Sequence, residues 1–264
     1  MKIAVITGAS SGMGREFARQ IPMLYRQLDE IWVVSRRTDR LKELEKESTV
    51  PVRIFDGDLK RDYIYERIEK ELDRRSGKIR MLVNAAGYGK MGAFDAIPLS
   101  EQLGMVDLNL KALTKMTGIC LPFMDRGSRI VNVSSAAAFC PQPGFAVYAA
   151  GKSYVYRFSL ALREELKRKG ILVTAVCPGP VETEFFRISG ELPGNLKKTV
   201  RADAASVVRQ ALKDAARGKS VSVYGTSMKA ARVLCKLLPD VLLAAVMARV
   251  NHISESDGKQ HASS

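Results

Sequence analysis

Tyr148 and Lys152 stand four residues apart. On a helix that spacing puts a phenol and an ammonium on one face, one turn from each other. A free phenol titrates near pH ~10 and is a poor acid or base at neutral pH; a fixed cation beside it favours the phenolate and lowers that value. Ser135, thirteen residues before Tyr148, adds a hydroxyl. Such a hydroxyl can hold a carbonyl oxygen while the phenol gives or takes its proton. A Tyr-x-x-x-Lys pair alone is common on helix surfaces, so its chemistry depends on what the rest of the chain brings opposite it.

The elements that must position these groups begin at residue 3. Residues 3–7 are a short apolar run, read as a buried parallel strand. Thr7-Gly8-Ala9-Ser10-Ser11-Gly12-Met13-Gly14 follows, then a helical stretch from Arg15. Glycines at these places allow a tight turn, close approach of backbone to a pyrophosphate, and close packing of helix on strand. The helix N-terminus adds free N–H groups and the positive end of its dipole. The spacing is G-x-x-x-G-x-G, distinct from the general dinucleotide fingerprint.

Residues 30–35 read as the second strand. An acidic residue at its end would grip a ribose 2′-hydroxyl. Ser35 stands there instead, followed by Arg36 and Arg37, and a guanidinium suits a 2′-phosphate. This favours NADP(H) over NAD(H). After a third strand at 51–56, Asp58-Leu59 place a carboxylate where it can reach an adenine amino group, cap a helix from about Lys60, or do both. A fourth strand at 78–83 ends in Asn84-Ala85-Ala86-Gly87, whose small side chains let backbone lie against a ribose. Residues 99–124 read as helix, with Asn109 in an apolar context that requires a buried hydrogen bond.

A fifth strand, 129–133, delivers Ser134 and Ser135, and three alanines then remove bulk beside them. Residues 139–147 are loop. A long helix over 147–169 carries Tyr148 and Lys152 and stops at Gly170. A sixth strand, 171–177, leads into Pro178-Gly179-Pro180-Val181-Glu182-Thr183. Residues 184–200, with Phe185, Phe186 and Leu192, read as a lid with an apolar inner face. Residues 202–217 are helical and 220–224 form a seventh strand. Strand and helix alternate without linker or repeat. The expected fold is therefore α/β: a Rossmann-type doubly wound parallel sheet of about seven strands, helices on both faces, ligands at the strands' carboxyl ends. The expected organisation is a catalytic domain over 1–225, a basic amphipathic helical extension over 226–253, and a disordered tail over 254–264.

The order and spacing of these motifs resemble the classical short-chain dehydrogenase/reductase family over roughly residues 1–225. Matching positions are Thr7-Gly8 to Gly14, Asp58, Asn84 to Gly87, Asn109, Ser135, Tyr148-x-x-x-Lys152 and Pro178-Gly179 to Thr183. The resemblance implies that Tyr148 is the general acid in reduction and the base in oxidation. It implies that Lys152 lowers the phenol's pKa and bonds the nicotinamide ribose, and that Ser135 polarises the carbonyl. Ser134 is one residue farther from Tyr148 than the family's spacing. Asn109 would hold a water of a proton relay through Lys152. Cofactor contacts would come from Gly8, Ser10, Ser11, Gly12, Met13, Gly14, Ser35, Arg36, Arg37, Asp58, Leu59, Asn84, Ala85, Gly87, Asn109, Tyr148, Lys152, Pro178 and Gly179. Val181 and Thr183 would anchor the carboxamide end of the nicotinamide. NADP-using relatives often carry a basic residue just before the second glycine of the turn, where Ser11 stands here. Arg36 must then supply most of the 2′-phosphate contact, helped by Arg37 or Arg15. A dimer or tetramer through the helices at 99–124 and 147–169 is implied as well.

Composition narrows the field. Four scattered cysteines and two histidines, His252 and His261, both near the C-terminal end, argue against a metal site, a disulfide framework and a His-based triad. The formal charge of +14 fits a basic surface, an anionic cofactor or substrate, or an anionic membrane. Nucleic acid is not expected, because Lys and Arg are spread without a binding module. The first residues read as a strand and not a signal peptide, so a cytoplasmic protein is expected, with peripheral membrane contact as an option. Over 226–250, Lys229, Arg232 and Lys236 interleave with apolar residues, and Pro239 interrupts. These runs are too short to span a bilayer. They suit an amphipathic hairpin on a membrane surface, a cover over the cleft, or a subunit interface. Phe139, Phe185, Phe186 and Leu192 point to an apolar carbonyl or alcohol as substrate. The alternatives are a 3-oxoacyl (acyl-carrier or acyl-CoA) reductase and a non-catalytic NADP-binding regulatory protein. The second has no need to retain Ser135, Tyr148 and Lys152 together.

Overall fold

Ile3 and Val5 face one core of the protein while Ala4 and Ile6 face the other. A strand covered on both sides needs apolar residues at every position, which is why β1 (Lys2–Thr7) reads as a continuous run and not an alternation. The computed structural model describes residues 1–75, 77–185, 189 and 202–251. Its sheet has the order β3-β2-β1-β4-β5-β6-β7 and is parallel throughout. The strands are β2 (Glu30–Ser35), β3 (Val52–Asp56), β4 (Lys78–Asn84), β5 (Arg129–Val133), β6 (Leu172–Val176) and β7 (Val221–Ser222). The chain winds from β1 outward to β3, then returns to the other side of β1 with β4. That reversal opens a crevice at the carboxyl ends of β1 and β4.

Helices cover both faces. On one, α1 (Gly12–Leu24), α2 (Thr38–Glu47) and α7 (Ala204–Ala216) bury Phe17, Ile21, Leu41, Leu44, Val208 and Leu212. On the other, α3 (Tyr63–Arg75), α5 (Ala112–Cys120) and α6 (Ala146–Leu166) bury Ile64, Ile68, Leu72, Met116, Leu162 and Leu166. The fold is the expected doubly wound α/β sheet.

Several boundaries differ from expectation. The stretch at 99–124 is not one helix: α4 (Leu99–Val106) passes through a π turn over Asp107–Lys111 into α5, and a 3-10 turn at Leu121–Phe123 ends it at Pro122. α3 starts at Tyr63 and not near Lys60. α6 ends at Leu166, where 169 was expected. β7 is only two residues long, held by pairing of Ala175 with Val221 and Val176 with Ser222. After it come α8 (Thr226–Leu237) and α9 (Asp240–Val250), separated by Leu238 and Pro239. Most of the expected lid, including Phe186 and Leu192, and the expected tail at 254–264 lie outside the described residues.

Candidate active site

The Gly-rich turn is built so that backbone meets backbone. A Cβ on Gly14 would lie 2.2 Å from the Gly8 carbonyl oxygen, and one on Gly8 2.8 Å from Ala86 Cα. Gly8 also has φ 71, a left-handed conformation that glycine adopts without strain. Thr7 Oγ1 accepts from the amides of Ala85 (3.1 Å) and Ala86 (3.2 Å), tying the end of β4 to the turn. Ser11 caps α1 in extended conformation without a side-chain bond to the helix, and no acidic residue occupies the first turn. The N–H groups of that turn therefore face the crevice without a capping side chain, as an anion site requires.

A cavity of about 790 Å³ opens there. It is lined by every cofactor-contact residue expected from sequence except Asn84 and Asn109. Asn84 is a correction. Its side chain points into the sheet, where Nδ2 donates to Asn132 Oδ1 (2.9 Å) and Thr117 Oγ1 (3.2 Å). Asn132 in turn donates to Ser159 Oγ at 3.0 Å, so Asn84 belongs to a buried polar seam tying β4, β5, α5 and α6 together. Asn109 sits buried in the π turn, behind the wall. Its Oδ1 accepts from the Tyr88 amide (3.0 Å) and its Nδ2 donates to the Tyr88 carbonyl (2.8 Å). Its side chain thus fixes the Gly87–Tyr88 backbone and meets the predicted need for a buried partner. A Cβ on Gly87 would lie 2.8 Å from Asn109 Oδ1 and 3.5 Å from Lys152 Nζ, so the two residues converge on that glycine.

At the end of β2, Ser35 Oγ donates to Ser10 Oγ at 2.6 Å. Arg37 and Arg15 are not free helpers. Arg37 donates to Ser10 Oγ (3.0 Å) and Ser11 Oγ (2.5 Å) and pairs with Glu184 at 2.7 Å. Arg15 is paired with Glu43 and Glu47, both at 3.2 Å. Arg36 is exposed on the cavity rim and makes no ion pair among the described residues. Asp58 Oδ1 accepts from the Lys60 amide (3.0 Å), capping a turn ahead of α3 while its residue lines the cavity.

At the other end, Ser135 caps the 3-10 turn Ala136–Phe139, its Oγ accepting from the Ala137 amide at 3.1 Å. It is also hydrogen-bonded to Tyr148, which pulls the phenol pKa down, but burial outweighs this and pushes it up to about 12. Phe145 stacks on Tyr148 (centroids 4.1 Å apart) and Phe185 tilts against it (5.4 Å). Lys152 Nζ donates to the Val133 carbonyl at 2.9 Å and lies 5.5 Å from the centroid of the Tyr148 ring. Burial lowers its pKa to about 8. The expected drop in the phenol pKa is therefore absent in this state: both groups are stripped of water, and burial is the largest cause of each shift. Ser134 Oγ donates to the Lys152 carbonyl at 2.7 Å, so it fastens α6 to the end of β5.

The sequence of residues 226–250 suits a membrane surface, the cleft or an interface alike. Met228, Ala231, Cys235 and Met247 line the same cavity, and a Cβ on Gly179 would meet Met228 Sδ at 2.8 Å. α8 and α9 therefore roof the crevice. Asn251 Nδ2 donates to the Pro143 carbonyl at 2.8 Å, clipping the end of α9 to the loop before Tyr148. A polar residue closing an apolar helix was the only local signal of that contact.

A family model described as short chain dehydrogenase matches residues 2–191. The chain belongs to the short-chain dehydrogenase family. It is an oxidoreductase of that family. Over 193 residues it is 36% identical to "Sulfoacetaldehyde reductase 2" of Chromohalobacter salexigens, covering 69% of this chain and 74% of that protein. Over 197 residues it is 34% identical to "Very-long-chain 3-oxoacyl-CoA reductase" of Anas platyrhynchos, covering 70% and 62% respectively. A solved short-chain dehydrogenase from Sphingobium yanoikuyae, in complex with NADPH, superposes with a TM-score of 0.75 at 27% identity, over 97% of this chain and 98% of that one.

Proposed function

We propose that this short-chain dehydrogenase uses NADP(H) to interconvert a carbonyl and a secondary alcohol on an apolar substrate. The observation that carries the reading is one cavity lined by Ser135, Tyr148 and Lys152 and also by Arg36, which makes no ion pair among the described residues. The glycine cradle and the α1 N-terminus fit a dinucleotide diphosphate, Arg36 and Ser35 a 2′-phosphate, and the Pro178–Thr183 segment the nicotinamide end. When bound, the nicotinamide supplies or accepts the hydride. The chain's own groups do the rest. Ser135 donates to the carbonyl oxygen and holds it in place. Tyr148, with a pKa of about 12, keeps its proton at neutral pH and gives it to the oxygen as charge develops there. The phenolate left behind is stabilised by the Lys152 ammonium one helical turn away.

Phe139, Phe145, Phe185, Met228 and Met247 make the reaction end apolar. This supports a ketone on an acyl chain or ring more than a small charged aldehyde. The likeness to a 3-oxoacyl-CoA reductase supports it too. A carbonyl and alcohol panel followed at the reduced-nicotinamide absorbance band, with both cofactors, tests the reading. Turnover of apolar ketones with NADPH is expected. Tyr148→Phe should lower it by about 100-fold or more while cofactor still binds. Turnover by no carbonyl in wild type would favour a non-catalytic binder.

The outer face of α8 and α9 exposes Val233, Leu234, Leu237, Val241, Leu242 and Val246 beside Lys229, Lys236 and Arg249. We read it as a peripheral contact with an anionic membrane surface. No helix among the described residues is long and apolar enough to cross a membrane. Wild type should pellet with anionic vesicles, and Leu237→Glu/Val241→Glu should not. Equal behaviour of the two would remove this part. A homo-oligomer through α4 and α6, where Leu103 and Tyr154 are exposed, belongs to the same reading.

A further inference from the structure

Glu184 follows Thr183 in the segment after β6, and its carboxylate reaches across to α2. One oxygen takes Arg37 at 2.7 Å, the other Arg40 at 2.5 Å. In the sheet, β2 and β6 are separated by β1, β4 and β5. An ion pair joining the segments that follow β2 and β6 must therefore pass in front of the Gly-rich turn. Contacts along the way support this. Thr183 lies 3.3 Å from where a Cβ on Gly12 would stand, and Arg37 also binds Ser10 and Ser11 of that turn. Glu184, Arg37, Ser11, Gly12 and Thr183 thus close a ring at the N-terminus of α1.

We infer that Glu184, with Arg37 and Arg40, is a strap over the cofactor groove that sets the rate of cofactor exchange. The inference rests on the reading that a nicotinamide dinucleotide occupies that groove. Its chemistry suits a strap. Each carboxylate oxygen has its own guanidinium, and such charge-assisted pairs are strong and directional. Glu184 is only 22% exposed in its side chain, so water screens the pairs incompletely. The two arginines hold its pKa at about 2, so the strap stays charged across any ordinary assay pH. It also divides labour among neighbouring arginines. Arg37 and Arg40 close the strap, which leaves Arg36 for the 2′-phosphate. Exchange should then be governed alike for both cofactors, whatever the preference Arg36 imposes.

The test is stopped-flow dissociation of NADPH and of NADH, followed by nucleotide fluorescence, in wild type, Glu184→Gln, Arg40→Ala and the double variant. Glu184→Gln, which loosens both pairs, should speed dissociation of both nucleotides by about tenfold, and Arg40→Ala, which leaves the Arg37 pair, should speed it less. The double should be no faster than Glu184→Gln alone, because Arg40 acts only through that carboxylate. The NADPH-to-NADH affinity ratio should not change. Unchanged dissociation rates would overturn the strap. So would selective tightening of NADPH in Glu184→Gln, which would make the carboxylate a competitor of the 2′-phosphate. Binding of neither nucleotide by wild type would overturn the strap and the proposed function together.

Discussion

Lys152 should be more useful to the reaction than to the fold, and Lys152→Met measures the difference. The ammonium is buried, with a pKa moved from 10.5 to about 8 by desolvation. Linkage makes that move a cost of about 3 kcal/mol on the charged form in the folded state. The Nζ bond to the Val133 carbonyl, at 2.9 Å, offsets about 1 kcal/mol of what its removal would relieve. Methionine fills similar space without a charge, so the variant should be about 2 kcal/mol more stable than wild type near pH 7. The sign follows from proton counting. Between the folded pKa of about 8 and the unfolded value of 10.5, the unfolded chain holds a proton the folded one has released. Wild-type stability therefore gains with rising pH across that window, and the advantage of Lys152→Met shrinks until the lost hydrogen bond reverses it. Urea unfolding at fixed protein concentration, near pH 7 and near pH 9.5, reads both terms, while turnover should fall by about 100-fold or more. A variant less stable than wild type by the same amount at both pH values would refute the burial argument.

Arg36→Asp should raise the KM for NADPH by about tenfold or more and shift preference toward NADH, because the only unpaired guanidinium among the described cavity residues is lost; steady-state kinetics unchanged with both cofactors would remove Arg36 from the site. Gly14→Ala sets a methyl 2.2 Å from the Gly8 carbonyl oxygen, where backbone must give way. It should destabilise by about 2 kcal/mol and abolish nucleotide binding, read by urea unfolding and fluorescence titration.

What was legible in the sequence is what local periodicity carries. Parallel strands buried on both faces show as apolar runs, and a four-residue step on a helix puts Tyr148 and Lys152 together whatever surrounds them. The Gly-rich turn is readable for the same reason: steric contacts such as Gly14 against Gly8 leave no other residue type. Side-chain direction at a strand end is not local in this sense. Asn84 lies at the carboxyl end of β4 beside the cavity, but it points toward Asn132 and Thr117, partners 48 and 33 residues away. The π turn at Asp107–Lys111 has no composition of its own, so the sequence shows that Asn109 needs a buried partner but not that the partner is the Tyr88 backbone.

The same limit governs the electrostatics, where it changes the chemistry. Spacing says only that an ammonium lies near a phenol, and proximity alone predicts a phenol made more acidic. Packing decides otherwise, because Phe145 and Phe185 remove water from Tyr148 while Lys152 turns its proton to the Val133 carbonyl. The outcome is an acid at about 12 beside a cation at about 8. That order suits reduction. The phenol is protonated before the substrate arrives, and the cation's effect is needed only once the proton has left, when negative charge appears on Tyr148. Stabilisation that appears only with that charge lowers the barrier without tightening the ground state. The 147-residue separation of Arg37 and Glu184 makes the same point for the strap: its two halves are ordinary charged residues in sequence, and only the winding of the sheet makes them one device.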